Sequence, residues 1–317
     1  MAIAFVFPGQ GSQAIGMGKA LADNFAAARS VFAEVDEALN QRLSTLMWEG
    51  PETELTLTEN AQPALMAVSM AAMRVFEQEH GVTVANIAKF VAGHSLGEYS
   101  ALAAAGTFTI VDAARLLKIR GKAMQAATPV GTGAMAALLG LDFATAAQVA
   151  AEAAQGDICQ AANDNSDGQV VVSGSKAAVE RACEIAKTKG AKRAIILPVS
   201  APFHCALMQP AAEAMAEALA NATMKSPVVP VIANVVAGPL TDPATIRQKL
   251  VEQVIGTVRW RECVSYMVGQ GVNVFVEIGA GKVLTGLAKK NAPDALSFAA
   301  GTPDDIAAAA ANLKQGS

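Results

Sequence analysis

The most informative stretch of the sequence lies between residues 89 and 106 and reads KFVAGHSLGEYSALAAAG. The short run from Lys89 to Ala92 is typical of a buried strand, and the Ala-rich run that starts near Leu96 is typical of a helix. Between them stands GHSLG, a G-x-S-x-G pattern in which two glycines let strand and helix meet at a sharp turn. This order predicts a nucleophile elbow with Ser95 at its apex.

Short apolar runs alternate with amphipathic helical stretches on both sides of that turn, which predicts a mostly parallel sheet covered by helices. The other runs that we interpret as strands of this sheet are Ala2 to Phe7, Val228 to Ile232 and Val274 to Ile278. One helical region is predicted from about Met17 to Asn40, because apolar residues recur there at helical spacing. Further helices are predicted near residues 63–79, 96–105, 111–126, 243–255, 260–269 and 304–314.

Residues 133–199 follow a different pattern, in which predicted elements succeed one another in the order β-α-β-β-α-β. This order matches a ferredoxin-like unit, and a segment of about 65 residues is long enough to fold as a compact inserted subdomain. A turn is predicted around NDNSDGQ, residues 163–169. The sequence therefore predicts a core made of residues 1–129 and 199–317, interrupted by a subdomain of residues 130–198.

The composition excludes several classes of protein. With 52% hydrophobic and 16% charged residues, the 317-residue chain is able to bury a large core and is unlike a disordered protein. Lys and Arg number 24 against 28 Asp and Glu, so a net charge of −4 offers no basic footprint for nucleic acid. The uncharged stretch 123–141 is interrupted by Pro129 and by glycines, so we interpret it as a loop and a buried strand instead of a membrane span.

The cysteines and the N-terminus indicate a reduced, cytoplasmic protein. The four cysteines are widely spaced and form no C-x-x-C pair, which argues against structural zinc and against a disulfide framework. The N-terminus lacks the cationic start of a secretory signal. We therefore expect a cytoplasmic location and no metal site.

A serine hydroxyl needs a neighbouring base to react at neutral pH, and histidine has the pKa best suited to that role. Of the three histidines, His80 lies in the charged stretch EQEHGVT and is expected at the surface. His94 is adjacent to Ser95 and projects in a different direction. His204 lies in the proline-flanked loop PVSAPFHCALM, a kind of segment that often carries catalytic groups. Elimination favours His204 as the base, with a purely structural histidine as the alternative.

A third member of the catalytic group is harder to identify. In serine hydrolases an acid between the serine and the histidine in chain order orients the imidazole. Asp164 and Asp167 satisfy that order, but both fall in the predicted hairpin turn. A backbone or amide group that orients the imidazole in place of the acid is the alternative.

Several motifs accompany GHSLG along the chain. They are FPGQGSQ at 7–13, ENAQPAL at 59–65, GHSLGEYSAL at 93–102, LLKIRGKAM around Arg120, PFH at 202–204, the helix that contains Gln253, and EIGAGKVLTGL at 277–287. Over the whole chain this set closely resembles the malonyl-CoA:acyl carrier protein transacylases of type II fatty acid synthesis and the related acyltransferase domains of polyketide synthases. The resemblance implies a hydrolase-like α/β core with a ferredoxin-like insertion.

The resemblance also implies roles for individual residues. Ser95 would be the acylated nucleophile and His204 its general base. The imidazole would be held by the backbone carbonyl of Gln253 instead of an acid, which would account for the missing aspartate. The backbone N–H groups of Gln10 and Leu96 would form the oxyanion hole.

Substrate selection would depend on Arg120 and Phe203. In the resembled family the arginine that matches Arg120 binds the free malonyl carboxylate, which a guanidinium can hold through two parallel bonds. From the residues alone, an arginine beside the apolar Leu116, Leu117 and Ile119 is more typical of a solvated helix edge or of a side chain that extends its charged end to the solvent. Phe203 resembles the bulky residue of malonyl-selective relatives, so methylmalonyl-CoA is expected to be a poor substrate.

The implied reaction is a ping-pong transfer of malonyl from malonyl-CoA to the phosphopantetheine thiol of acyl carrier protein. The expected partners are these two molecules, with no cofactor, no nucleic acid and no membrane, and a monomer is the default. Lys187, Lys189, Lys192 and Arg193 are candidates for a basic rim that binds the acidic carrier, although a solvated edge fits them equally. Three alternatives remain: a serine esterase or thioesterase, a non-catalytic binding protein, and a family member that serves polyketide synthesis or malonate decarboxylation.

Overall fold

The computed structural model describes residues 1–315. It contains two separate sheets. The larger sheet contains β1 (Ile3–Phe7), β2 (Ala88–Gly93), β7 (Val231–Ala233), β8 (Gly238–Leu240), β9 (Val274–Ile278) and β10 (Leu296–Ala300). The smaller sheet contains β3 (Gly133–Leu139), β4 (Cys159–Ser166), β5 (Gln169–Ser175) and β6 (Arg193–Ile196). The mixed α/β class expected from the sequence is therefore confirmed.

The larger sheet has the strand order β10-β9-β1-β2-β7-β8, and all its neighbouring pairs are parallel except β7 with β8. Strands β1 and β9 are buried along their whole length, as expected for parallel strands that helices cover on both faces. The sequence predicts four of these strands and misses β8 and β10. Strand β10 lies at the sheet edge and is mostly half-exposed, so it lacks the continuous burial of the central strands.

Helices cover both faces of this sheet and one face of the smaller one. They are α1 (Lys19–Asn24), α2 (Ala26–Leu39), α3 (Leu43–Glu49), α4 (Glu52–Leu55), α5 (Thr58–His80), α6 (Val84–Ile87), α7 (Gly97–Ala104), α8 (Ile110–Ala126), α9 (Phe143–Ala154), α10 (Lys176–Thr188), α11 (Gln209–Ala220), α12 (Pro243–Ile255), α13 (Trp260–Gly269), α14 (Val283–Asn291) and α15 (Pro303–Gln315). The helical region predicted from about Met17 to Asn40 comprises two helices, α1 and α2. Phe25 has extended backbone angles and separates α1 from α2, and Arg29 Nη1 donates to the Ala22 carbonyl at the end of α1.

The smaller sheet is formed by the segment β3-α9-β4-β5-α10-β6, with strand order β4-β5-β3-β6 and antiparallel pairing throughout. Helices α9 and α10 pack on it around a separate apolar core that includes Leu138, Val149 and Val172. The turn expected over residues 163–169 is shorter than predicted. Strand β4 continues to Ser166, because Gly168, at a positive φ of 72°, closes the hairpin to β5 in a tight turn.

The smaller sheet meets the core along a short seam beside β4. The Asp164 N–H donates to the Val258 carbonyl over 2.9 Å, and the Val258 N–H donates to the Ala162 carbonyl over 2.9 Å. The Thr257 hydroxyl donates to the Ala161 carbonyl. The domain boundaries at residues 130 and 198 stay a prediction, and residues 316 and 317 of the predicted core lie outside the described part of the chain.

Within residues 1–315, no helix combines the length and the apolar character needed to cross a membrane. The uncharged stretch 123–141 comprises the end of α8, a loop and strand β3. The expectation of a loop followed by a strand is therefore confirmed.

Candidate active site

Ser95 lies on the turn between β2 and α7 with a positive φ of 54°. Glycines are required on both sides of it. A Cβ on Gly93 would lie 1.9 Å from the carbonyl carbon of Gly97, and a Cβ on Gly97 would lie 2.2 Å from the carbonyl oxygen of Phe7. The Ser95 N–H donates to Asn234 Oδ1 over 2.7 Å, which fixes the turn to the end of β7.

His204 contacts the serine from the loop that follows the smaller sheet. Its Nε2 lies 2.8 Å from Ser95 Oγ, and its Nδ1 lies 2.9 Å from the carbonyl oxygen of Gln253 and 3.2 Å from that of Gly256. Because carbonyl oxygens only accept hydrogen bonds, Nδ1 carries the proton and Nε2 is left to accept from the serine. Burial, and secondarily the positive charge of Arg120, lower the pKa of His204 to about 3. The imidazole is therefore neutral near pH 7.

Arg120 is buried on α8, with 1% of its surface exposed, and contacts the serine from the other side. Its Nη1 donates to Gln62 Oε1 over 2.8 Å, and its Nη2 donates to Gln253 Oε1 over 2.9 Å and to Ser95 Oγ over 3.2 Å. Its carbon Cζ lies 5.7 Å from the centre of the Tyr99 ring. These partners are neutral, so the guanidinium keeps its charge for an anion that enters beside the serine.

The reactive groups open into a cavity of about 840 Å³ between the two sheets. Gln10, Ser95, Arg120, Phe203 and His204 all line it. Within residues 1–315, the backbone N–H groups of Gln10 and Leu96 donate to no protein acceptor. The assignment of these two groups to an oxyanion hole stays a prediction.

The other two histidines make their contacts elsewhere and not with the Ser95 hydroxyl. His80 lies at the end of α5 against Phe76, outside the cavity lining. His94 lines the cavity, but its Nε2 is bonded to Asn165 Oδ1 over 2.8 Å and its ring packs on Trp260.

The sequence predicts Asp164 in a hairpin turn, but the residue lies in β4 and is 1% exposed. The physical reason is its pairing across the seam, because Arg261 Nη2 lies 2.8 Å from Asp164 Oδ2. Burial raises the pKa of Asp164, and the bonds from Arg261 lower it. Its carboxylate is therefore engaged by α13 and does not orient His204.

The sequence predictions missed four groups that hold the site together. Asn234 Nδ2 donates to the Gly93 carbonyl, Gln62 binds Arg120, and the Gly256 carbonyl accepts from His204. Glu98 Oε2 accepts from the Asn234 N–H and from Gln253 Nε2, each over 2.9 Å. Two signals in the sequence point to such roles: Glu98 is the one charged residue in the apolar helix after GHSLG, and Gln62 lies in the motif ENAQPAL.

The site contains no obvious metal-binding cluster. Among the residues that the structure describes, no three His, Cys, Asp or Glu side chains are arranged to hold a metal ion. The geometry instead combines a serine, a neutral imidazole and a buried guanidinium at the carboxyl end of a parallel strand. This combination defines an enzyme class that transfers acyl groups through a serine.

Comparisons with known proteins agree with this class. The family model of the acyl transferase domain matches residues 4–302. The malonyl CoA-acyl carrier protein transacylase of Bacillus subtilis (strain 168) is 48% identical over 314 residues, which cover 99% of this chain and 98% of that protein. The crystal structure of acyl-carrier-protein-S-malonyltransferase from Bartonella henselae is 58% identical with a TM-score of 0.97, covering 99% and 100% of the two chains.

A second similar structure is a malonyl-transacylase in complex with its type II PKS acyl-carrier protein. It is 44% identical with a TM-score of 0.95, and the match covers 98% of this chain and all of that one. The chain belongs to the malonyl-CoA:acyl carrier protein transacylase family of acyl transferases.

Proposed function

We propose that the protein moves the malonyl group of malonyl-CoA to the phosphopantetheine thiol of acyl carrier protein through a malonyl ester on Ser95. One observation carries the proposal: Ser95 Oγ lies 2.8 Å from His204 Nε2 and 3.2 Å from Arg120 Nη2. The nucleophile thus stands between a base that activates it and a cation that fits a carboxylate. The family assignment supports the same substrates.

In the first half-reaction, Ser95 Oγ attacks the thioester carbonyl carbon as His204 Nε2 takes the hydroxyl proton. The negative charge that develops on the carbonyl oxygen is stabilised by the N–H groups of Gln10 and Leu96. Collapse of this tetrahedral species breaks the C–S bond, and the proton passes from His204 to the sulfur of coenzyme A. The carbonyls of Gln253 and Gly256 stabilise the imidazolium while it carries that proton.

In the second half-reaction, the carrier thiol occupies the position that coenzyme A has left. His204 takes the thiol proton, the sulfur attacks the malonyl ester, and the C–O bond to Ser95 breaks. The proton then returns to Ser95 Oγ, which restores the starting enzyme. We propose that the reaction uses no cofactor, because each step described is carried by groups of this chain, and that the coenzyme A thioester is a substrate.

Arg120 would select malonyl by pairing with its free carboxylate, and each charge-assisted bond of such a pair contributes about 1.5–3 kcal/mol. Acetyl-CoA leaves the guanidinium without an anion in a buried site, which adds a penalty to the lost attraction. Phe203, 8% exposed and in the cavity lining, limits the room for an α-methyl branch. Malonyl should therefore be preferred over both acetyl and methylmalonyl.

The proposal gives the fold its finer description. The turn at Ser95 is a nucleophile elbow, and the smaller sheet with α9 and α10 is a ferredoxin-like subdomain inserted into a hydrolase-like core, as its strand order supports. We further propose a cytoplasmic monomer that uses no metal and serves the carrier protein of fatty acid synthesis. A polyketide carrier is a second candidate, favoured by the similarity to the malonyl-transacylase that is bound to a type II PKS acyl-carrier protein.

Intact-protein mass spectrometry after mixing with malonyl-CoA tests the proposal. The wild type should gain the mass of one malonyl group, and peptide mapping should locate that group on Ser95. The matched control is Ser100→Ala, which removes a buried hydroxyl from the same helix region without touching His204. Absence of the adduct from the wild type, or its persistence in Ser95→Ala, would end the proposal.

A further inference from the structure

Glu98 is a buried carboxylate that the proposed reaction does not use. It lies in the first turn of α7 and is 1% exposed. Its Oε2 accepts from the Asn234 backbone N–H and from Gln253 Nε2, each over 2.9 Å. A buried carboxylate is costly unless its surroundings offset its charge, so its position close to the nucleophile calls for a reason.

The amide of Gln253 connects Glu98 to Arg120. Gln253 Nε2 donates to Glu98 Oε2 and, over 3.1 Å, to the Ser95 carbonyl, while Gln253 Oε1 accepts from Arg120 Nη2 over 2.9 Å. The opposite orientation of the amide would place an NH₂ against the guanidinium and an oxygen against a carboxylate and a carbonyl. Glu98 therefore fixes which end of Gln253 faces Arg120.

The charges around Arg120 give Glu98 a second effect. The direct hydrogen-bond partners of Arg120 are the neutral side chains of Gln62, Gln253 and Ser95. Burial lowers the pKa of Arg120, and the interactions with Tyr99 and then with Glu98 raise it. Of these two partners, Glu98 is the carboxylate. Glu98 is thus placed as the counter-charge of Arg120, separated from it by one amide.

We propose that Glu98 is a positioning and specificity-determining residue for malonyl: through Gln253 it orients Arg120, and its negative charge weakens the attraction of Arg120 for the malonyl carboxylate. The inference rests on the proposed function, because it concerns the same acylation of Ser95. It predicts that malonyl selectivity depends on whether Glu98 is ionised.

The pH dependence follows from the surroundings of Glu98. Burial raises the pKa of Glu98 to about 7, while its bonds from Asn234 and Gln253 and the charge of Arg120 lower it. Tyr99 and Cys263 also interact electrostatically with Glu98, and burial raises the pKa of both well above the neutral range. Between pH 6 and pH 8.5, Glu98 is therefore the group of this cluster that changes charge.

The sign of the effect is determined by like-charge repulsion. Below pH 7 Glu98 is neutral and Arg120 attracts the malonyl carboxylate at full strength. Above pH 7 Glu98 is ionised, offsets part of the Arg120 charge and repels the carboxylate. Malonyl selectivity should therefore fall as the pH rises.

The test measures kcat/KM for acylation by malonyl-CoA and by acetyl-CoA between pH 6 and pH 8.5, and takes their ratio so that effects common to both substrates cancel. In the wild type the malonyl-to-acetyl ratio should fall about 10-fold over this range. Glu98→Gln keeps an oxygen acceptor for Asn234 and Gln253 but carries no charge. Its ratio should be flat with pH and about 10-fold above the wild-type ratio at pH 8.5.

Glu277→Gln is the matched control. Glu277 is also a buried glutamate, but it is bonded to Leu284, Thr285 and no group of the Arg120 cluster, so this variant should keep the wild-type slope. A flat wild-type ratio, or a Glu98→Gln ratio that follows the wild-type slope, would overturn the inference. Both outcomes differ from failure of the proposed function, which would appear as a missing malonyl adduct on Ser95 in the wild type.

Discussion

The two sheets contribute very differently to the cavity between them. The parallel core supplies Ser95 from the end of β2, Arg120 from α8 and the Gln253 carbonyl from α12. The smaller sheet with α9 and α10, here called the antiparallel unit, supplies residues that line the cavity, among them Asn163, Asn165, Gln169 and Val171. The residues of the proposed reaction thus come from the core, and under the proposed function the smaller sheet would limit the access of water to the ester.

This difference teaches how one cavity can hold a reactive ester and still admit a protein partner. On the core side the groups share one hydrogen-bond network. Gln253 is bonded to four of them, namely His204, Arg120, Glu98 and the Ser95 carbonyl. On the other side the smaller sheet is joined to the core by separate bonds, which include the seam beside β4 and the bonds of Asn165 to His94 and Asn291. Changes in the core should therefore abolish chemistry, and changes in the antiparallel unit should mainly affect stability.

The largest effect is expected for His204→Ala. Without the base, Ser95 keeps its proton, and loss of a base in comparable sites costs about 10⁴-fold or more in kcat. Stopped-flow measurement of coenzyme A release from malonyl-CoA gives the rate. His80→Ala is the control, since His80 lies outside the cavity, and a normal rate in His204→Ala would remove the histidine from the mechanism.

The next effect is expected for Arg120→Ala. Loss of two charge-assisted bonds to the carboxylate should lower kcat/KM for malonyl-CoA on the order of 10²- to 10³-fold. Acylation by acetyl-CoA should be kept or increased, because the unpaired buried charge is gone. Arg115→Ala, on the exposed side of the same helix, should leave both rates near wild type. Unchanged malonyl selectivity in Arg120→Ala would contradict the assignment and favour an esterase.

A smaller effect is expected at the seam. Asp164→Asn removes the ion pair with Arg261, whose side chain is 40% exposed, and should lower the free energy of unfolding by about 1–2 kcal/mol. Because Asp164 orients no reacting group, kcat for malonyl transfer should change less than about 3-fold. Thermal unfolding and the transfer assay check the two parts. A loss of activity without a loss of stability would show that the seam takes part in the chemistry.

The smallest effect on chemistry is expected on the far surface of the antiparallel unit. Lys187 and Lys189 are bonded to Glu184 and Glu152 on exposed helices, and neither lines the cavity. Their replacement by alanine should leave acylation by malonyl-CoA unchanged. If these lysines form the basic rim, the KM of the variants for the carrier protein should be about 3- to 10-fold above the wild-type KM. This KM should also depend less on the salt concentration than it does in the wild type. An unchanged KM for the carrier would identify them as a solvated edge.

Much of this organisation is predictable from the sequence, because it depends on short-range patterns. The motif GHSLG predicts Ser95 on a sharp turn, and elimination among three histidines selects His204. The order of apolar runs also separates the two sheets. The break at Phe25 and the extension of β4 to Ser166 were not predictable, since they depend on Arg29 and on a tight turn at Gly168.

The network behind the nucleophile is not predictable from the residues alone. Gln62, Glu98, Arg120 and Gln253 lie on four different helices, and only tertiary packing brings their side chains together. A lone glutamate in an apolar helix indicates a buried charge but not its partner. Of the two acids that satisfy the chain order, Asp164 binds Arg261 and Asp167 lies exposed in the turn after β4.

Transfer of a malonyl group from the isolated malonyl-enzyme tests the central claim most directly. The enzyme is acylated with radiolabelled malonyl-CoA, freed of coenzyme A, and divided between buffer and buffer with carrier protein that bears its phosphopantetheine arm. The account predicts that the label moves to the carrier thiol much faster than it is released as malonate in buffer. Release of malonate at the same rate in both portions, with the carrier left unlabelled, would contradict it and identify a hydrolase.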